Sequence, residues 1–217
     1  MKFIHACFIA FSMGFFAFSS NALAALDPLF NGNDLSGWTV RNGTGTYRVE
    51  NGAIIGKTTE GSKNTFLCSD RVFKNFELRL EVKMIDDKLN SGVQIRSNDN
   101  NQKKRVNGPQ VEIASTKSKG SKTGYLYGEA CGGWMTSDEN LKPHSLMKDG
   151  EWNELRILSK GPRIQTWING KQVSDLIDEE KFKTHPEGFI GLQVHSIPEG
   201  KGPYEVAWKS IMIEELE

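Results

Sequence analysis

Three short stretches of this chain set hydrogen-bonding side chains at alternate positions between apolar ones. Gln94 and Arg96 alternate with Val93 and Ile95, Gln110 and Glu112 with Val111 and Ile113, and Gln193 and His195 with Leu192 and Val194. Successive side chains on a β-strand point to opposite faces, so each stretch predicts one apolar and one polar face. If the three strands are neighbours, amide, guanidinium, carboxylate and imidazole groups meet on one sheet surface. That is chemistry for gripping a small polyhydroxylated ligand. It is equally the composition of a wetted sheet face, because antiparallel sheets commonly leave one side in water. Trp134, in a Gly-Gly-Trp loop, is a candidate platform for stacking a sugar ring, with Tyr127 and Trp167 as further aromatic candidates.

The elements that must hold these groups read as strands and turns almost throughout. Phe76, Leu78, Leu80, Val82 and Met84 alternate with Glu77, Arg79, Glu81 and Lys83, the cleanest strand pattern in the chain. Asn51-Gly52 and Asn169-Gly170 each sit between apolar runs, the strongest short-range signal for a hairpin. Asp175 to Phe182 is the one segment that reads as a short helix. About a dozen short strands separated by Gly and Asn turns point to a sandwich or a barrel. No internal repeat or interdomain linker is visible. The expected organisation is residues 1–24 as a signal peptide and residues 25–217 as a single all-β domain.

Lys2 followed by an apolar run from Phe3 to Phe18 and by Ala22-Leu23-Ala24 is the pattern of a secretory signal cleaved after Ala24. Cys7 lies too early in that run to become a lipid-modified residue, and no other stretch approaches the length of a membrane span. The expected location is periplasmic or secreted. Loss of Lys2 leaves 26 basic against 27 acidic residues, so no global field favours nucleic acid or an anionic membrane. Lys103 to Arg105 and the lysines from Lys117 to Lys122 read as solvated loops. Cys68 and Cys131 remain after cleavage, as a disulfide or as two separate buried thiols. His144 and His185 fall in polar loops and read as surface residues.

Leu29-Phe30-Asn31-Gly32 through Asp34-Leu35-Ser36-Gly37-Trp38 resembles the opening signature of the bacterial 3-keto-disaccharide hydrolase domain family, also described as 3-keto-glucoside 1,2-lyase or 3-keto-2-hydroxyglucal hydratase. The likeness continues through Asn90-Ser91-Gly92, Gly108 to Ile113, Gly150 to Asn153, Trp167 to Gly170, Gly191 to His195 and Trp208 to Ile213. The resemblance implies a concanavalin A-like, two-sheet jelly roll of the lectin and glucanase kind that acts on carbohydrate outside the cytoplasm.

An ordinary glycosidase flanks its bond with two carboxylates. Related jelly-roll glucanases place them at Glu-x-Asp-x-x-Glu spacing, whereas the comparable strand here carries Glu112 alone, leaving Glu129 or Asp138 of a loop as the available partner. A 3-keto sugar asks for less, because the ketone acidifies the C2 proton and one base can begin an elimination. Glu112 or His195 is then the candidate base and the other the acid. Arg96 is the candidate for the enolate oxygen. Gln94, Gln110 and Gln193, with Tyr127, Trp134 and Trp167, are the substrate-binding candidates. Glu112 and His195 are also candidate ligands for a divalent cation that polarises the ketone. The competing expectations are a non-catalytic carbohydrate-binding module or lectin, and a structural domain whose loops block the groove.

Overall fold

The computed structural model describes residues 26–102, 104–116 and 120–217; residues 1–24, where a signal peptide is expected, lie outside the described residues. The chain opens with β1 (Asp27–Pro28), β2 (Trp38–Asn42), β3 (Thr46–Glu50), β4 (Ala53–Lys57) and β5 (Thr65–Phe73). It continues with β6 (Phe76–Met84), β7 (Asn90–Ser97), β8 (Gly108–Ala114), β9 (Leu126–Glu129) and β10 (Gly133–Trp134). β11 (Asn153–Lys160), β12 (Arg163–Ile168), β13 (Lys171–Ile177), helix α1 (Glu179–Thr184), β14 (Gly188–Val194) and β15 (Glu205–Glu215) complete it.

These strands form two antiparallel sheets. One has the order β13-β12-β11-β6-β15-β4-β3, with β1 added along β15; the other has the order β10-β9-β8-β7-β14-β5-β2. The architecture is the expected two-sheet jelly roll. The three opening stretches are indeed neighbours: β7 lies between β8 and β14.

The core lies between the sheets and follows from the alternation. Leu78, Leu80 and Val82 of β6 face Val93, Ile95, Val111, Ile113, Leu192 and Val194 of the second sheet, all fully or almost fully buried. Each such side chain contributes about 1.5–3 kcal/mol relative to exposure. Gly56 marks a close approach of the layers, since a Cβ there would stand 2.5 Å from Val194 Cγ2 and 2.9 Å from Trp208 Cζ3. Both Asn-Gly hairpins turn as expected, with φ of 51° and 75° at Asn51-Gly52 and 48° and 76° at Asn169-Gly170. Positive φ at both central residues suits the right-handed twist of the flanking strands.

The helix begins later than its sequence suggests. Asp175 belongs to β13, where it pairs with Gln165, and Asp178 caps α1 by accepting from the Lys181 backbone N–H at 2.8 Å. Cys68 and Cys131 are both free thiols, the first buried on β5 and the second in the β9–β10 turn. No helix among the described residues is long and apolar enough to cross a membrane.

Candidate functional site

The register of the second sheet orders its outward side chains into rows. Gln193 is opposite Gly92, and Gly92 is opposite Glu112. In the next row Gly191, Gln94, Gln110, Tyr127 and Trp134 follow one another across five strands. Gly92 is the dip between these rows. A Cβ there would fall 2.5 Å from Gln110 Cδ, so the missing side chain is what lets Gln110 lie across β7.

Part of this face is filled by the protein itself. The segment after β7 folds back, and Val106 packs with Phe66, Cys68 and Phe189. Gln94 is sealed, with no exposure, and does not line the cavity that remains. The expectation that Gln94 contacts substrate is therefore corrected. That cavity, of about 230 Å³, is lined by Glu112, His195, Gln110 and Gln193 together with Tyr127 and Trp134. The Tyr127 and Trp134 rings meet edge to face at 5.3 Å. Gln110 Nε2 and Gln193 Oε1 are buried without a hydrogen-bond partner among the described residues. Buried polar atoms are normally paired, so these two are groups that a hydroxylated ligand would satisfy.

Arg96 is elsewhere. Between Gln94 and Ser97 the β7–β14 register shifts, and Arg96 has a φ of 47°. This bulge breaks the alternation that placed Arg96 beside Gln94. Its Nε donates to the Lys74 carbonyl and its Nη1 to the Gly161 carbonyl, both at 2.6 Å, and its guanidinium lies 5.0 Å from the Phe182 ring. Burial pulls its pKa down to about 10. It is a structural clamp, and the expected role on an enolate oxygen is corrected. Trp167 is also misplaced by the pattern. It sits on the outer face of the other sheet, 4.1 Å under the Arg156 guanidinium, because alternation identifies a face but not a sheet.

The cavity also holds Glu129, one of the two loop carboxylates expected as a partner for Glu112, and Arg105, which the sequence places in a solvated loop. Arg105 lines the cavity and donates from Nη2 to Glu129 Oε1 at 2.7 Å. The second Glu129 oxygen accepts from Asn64 Nδ2 at 3.4 Å. Asn64 is held in that orientation by the Ser196 N–H, which donates to its Oδ1 at 2.8 Å. Glu129 is thus a second carboxylate in the cavity, while Asp138 is exposed and does not line it. Of the two carboxylates expected from sequence it is Glu129 that reaches the cavity; Asn64 and Arg105 had no sequence signal, since tertiary folding of loops brings them in. Lys122 is also no mere surface lysine, with Nζ 4.9 Å from the Trp134 ring centre.

The electrostatics separate the two carboxylates. Glu112 is almost fully buried, and desolvation pushes its pKa up to about 8. The Asn90 amide, which donates to Glu112 Oε1, and the Lys122 charge pull it down, while Glu129 pushes it up. Burial dominates because no cation touches the carboxyl directly. Glu112 therefore holds its proton at neutral pH. His195 Nδ1 lies 2.8 Å from the Ser196 carbonyl oxygen, an acceptor only, so Nδ1 carries a hydrogen and, in the neutral ring, Nε2 is the nitrogen with the lone pair. His185, in contrast, is a buried residue bonded to Asn107 and Thr184, with burial and then Lys181 depressing its pKa.

Among the described residues no group of three or more His, Cys, Asp or Glu side chains is arranged to hold a metal ion. Glu112 and His195 supply only two donors in one cavity, fewer than the three protein ligands of an ordinary catalytic metal site, a poor set for the divalent cation considered from sequence.

A polar groove on one sheet of a jelly roll, with an acid, an imidazole and aromatic walls, defines a carbohydrate-active domain of the glycosyl hydrolase or carbohydrate-binding kind. Residues 26–214 match the model of the 3-keto-alpha-glucoside-1,2-lyase-like domain, and the chain belongs to that family. A crystal structure of a candidate glycosyl hydrolase from Parabacteroides distasonis is similar, with a TM-score of 0.60, 20% identity, and coverage of 87% of this chain and 93% of that one. The carbohydrate-binding module CBM66 of Bacillus subtilis has a TM-score of 0.60, 16% identity, and coverage of 82% and 95%. A Bacillus subtilis protein with a galectin-like fold has a TM-score of 0.63 at 10% identity, covering 88% and 94%. A comparison with curated proteins finds no match.

Proposed function

We propose that this chain is an exported enzyme that cleaves 3-keto-glycosides by elimination, with water adding to the resulting glucal in a second step. The observation that carries the reading is the pairing in one cavity of a protonated Glu112 with a His195 whose Nε2 is free. His195 Nε2 removes the C2 proton of the bound sugar. The electron pair forms the C1–C2 double bond as the C1–O bond breaks, and Glu112 delivers its proton to the departing oxygen. Charge that develops on the C3 oxygen during this step is met by Arg105, which keeps donors beyond the one given to Glu129. Water adding across the double bond restores a 3-keto sugar. Export rests on the signal pattern ending at Ala24, and N-terminal sequencing of the secreted chain tests it.

The deciding experiment incubates the purified protein with a 3-keto-disaccharide and with its unoxidised parent. Release of the leaving sugar from the keto compound alone is the expected result. Cleavage of the parent alone would make Glu112 and Glu129 the two carboxylates of an ordinary hydrolase. Inertness towards both would overturn an enzymatic role. A second reading, a non-catalytic carbohydrate-binding module, is favoured by the unpaired Gln110 and Gln193 amide atoms beside Tyr127 and Trp134. It predicts calorimetric glycan binding that survives Glu112→Gln with no turnover to lose.

A further inference from the structure

A second cavity, of about 720 Å³, shares Asn64, Arg105 and His195 with the first. The shared walls matter, because His195 lies at the boundary. A sugar ring held against Glu112, Gln110 and Gln193 in the smaller cavity has the larger one beside it, open to the rest of its molecule.

The lining of the larger cavity differs in kind. Beyond the shared residues it presents Lys63 and Lys104, with Asn42, Ser62 and Ser196 as neutral polar partners, and no carboxylate among its walls. Glu129, which answers the Arg105 charge, belongs to the smaller cavity. Neither Lys63 nor Lys104 has an ion-pair partner among the described residues. The chain as a whole is balanced, with 27 basic and 27 acidic residues, so a recess whose lysine and arginine side chains meet no carboxylate in its lining is not a reflection of composition. Its wall is also tightly built: a Cβ on Gly43 would stand 2.3 Å from the Lys63 carbonyl oxygen, so the β2–β3 turn packs directly on the segment carrying Lys63. A concave, single-sign lining focuses the field and raises the local concentration of an oppositely charged group.

We propose that the larger cavity is a leaving-group subsite selective for an anionic substituent, such as the carboxylate of a uronic acid or a sulfate ester, carried by the sugar or aglycone attached at C1. This rests on the assignment of the smaller cavity to the 3-keto sugar. Lys63 and Lys104 are the specificity-determining residues. They contact the departing half of the substrate and take no part in bond breaking.

The test compares two 3-keto-disaccharides that differ only in the leaving sugar, glucose in one and glucuronate in the other. At low salt the glucuronate compound is turned over with kcat/KM roughly five- to tenfold higher, about 1–1.4 kcal/mol, and the preference shrinks at high salt. The double substitution Lys63→Gln with Lys104→Gln removes the preference, so that the acidic and neutral compounds are turned over with equal kcat/KM and the salt dependence is lost. A sulfated leaving sugar in a third arm shows whether the charge alone, or the carboxylate shape, is read. Equal turnover of the acidic and neutral compounds would overturn the subsite while leaving the proposed reaction standing. If neither compound reacts, the reaction is wrong and the subsite is judged by binding. Calorimetry with the unoxidised acidic and neutral disaccharides must then show tighter binding of the acidic one, lost in the double variant. Equal affinities there would overturn it.

Discussion

On the outer face of the β6-containing sheet, Glu77 accepts from Arg156 and from Arg79, each at 2.6 Å. Lys209 lies 3.6 Å from Glu81, and Arg163 pairs with Asp175 at 2.6 Å. Arg156 and Lys209 also cover Trp167 and Trp152 at 4.1 and 4.4 Å. The outer face of the β7-containing sheet has the same alternation but a different outcome. Its glutamines keep unpaired atoms, and Glu112 has an amide rather than a cation as its bonded partner. A face built for solvent closes its own charges with its own residues. The other face leaves hydrogen-bonding capacity unused and keeps a carboxyl protonated, which is useful only when something else occupies it.

Replacing Glu112 with Gln should separate the two faces most sharply. The acid is lost, and turnover should fall by about 10²- to 10⁴-fold, measured as kcat on the 3-keto-disaccharide. The wild-type pH profile should fall through about pH 8 as Glu112 loses its proton. Stability should move in the same direction. The folded chain holds a proton on Glu112 up to about pH 8, whereas the unfolded chain releases it near the ordinary value of about 4.3. The native state therefore binds more protons between those limits, and stability declines as pH rises through that window. Glu112→Gln should flatten the decline by up to a few kcal/mol, read from urea unfolding at several pH values.

Gly92→Ala is expected to act next most strongly. Its methyl group would push Gln110 aside from Cγ outward in a buried site, so KM should rise about tenfold, near 1.4 kcal/mol, and overpacking should lower stability by about 1–3 kcal/mol, read from urea unfolding. On the opposite face, Glu77→Gln should cost about 1 kcal/mol or less and leave kinetics untouched, because the pairs it breaks are partly solvated. A large loss of activity from Glu77→Gln would erase the distinction between the faces.

Much of this arrangement could be read from residue order. Alternation placed Val93, Val111 and Leu192 in the core, and it placed Gln110, Glu112, Gln193 and His195 on one shared surface. Tyr127 and Trp134 line the same cavity. The failures have specific causes. The Arg96 bulge changes one backbone angle, which no side-chain pattern encodes, and it exchanges a substrate-facing guanidinium for a clamp on backbone carbonyls. Trp167 has the right periodicity on the wrong sheet. Arg105 and Asn64 reach the site only through loops whose paths depend on the finished fold, and His185 is buried by the same segment through Asn107.

The contact between Asn64 and Glu129 has a topological consequence. Asn64 precedes β5 and Glu129 ends β9, strands four places apart in the sheet, yet their side chains meet at 3.4 Å. Two residues of the cavity lining that come from distant strands are thereby tied to each other, and Arg105 holds the Glu129 side of the tie. An open trough lets a long polysaccharide lie through it and be cut anywhere along its length. A trough crossed by a side-chain contact is expected to favour chain ends and free disaccharides, which product lengths from a polymeric and a disaccharide substrate would show. A polymer laid across this sheet would have to part Asn64 from Glu129, whereas a chain terminus or a free disaccharide would not.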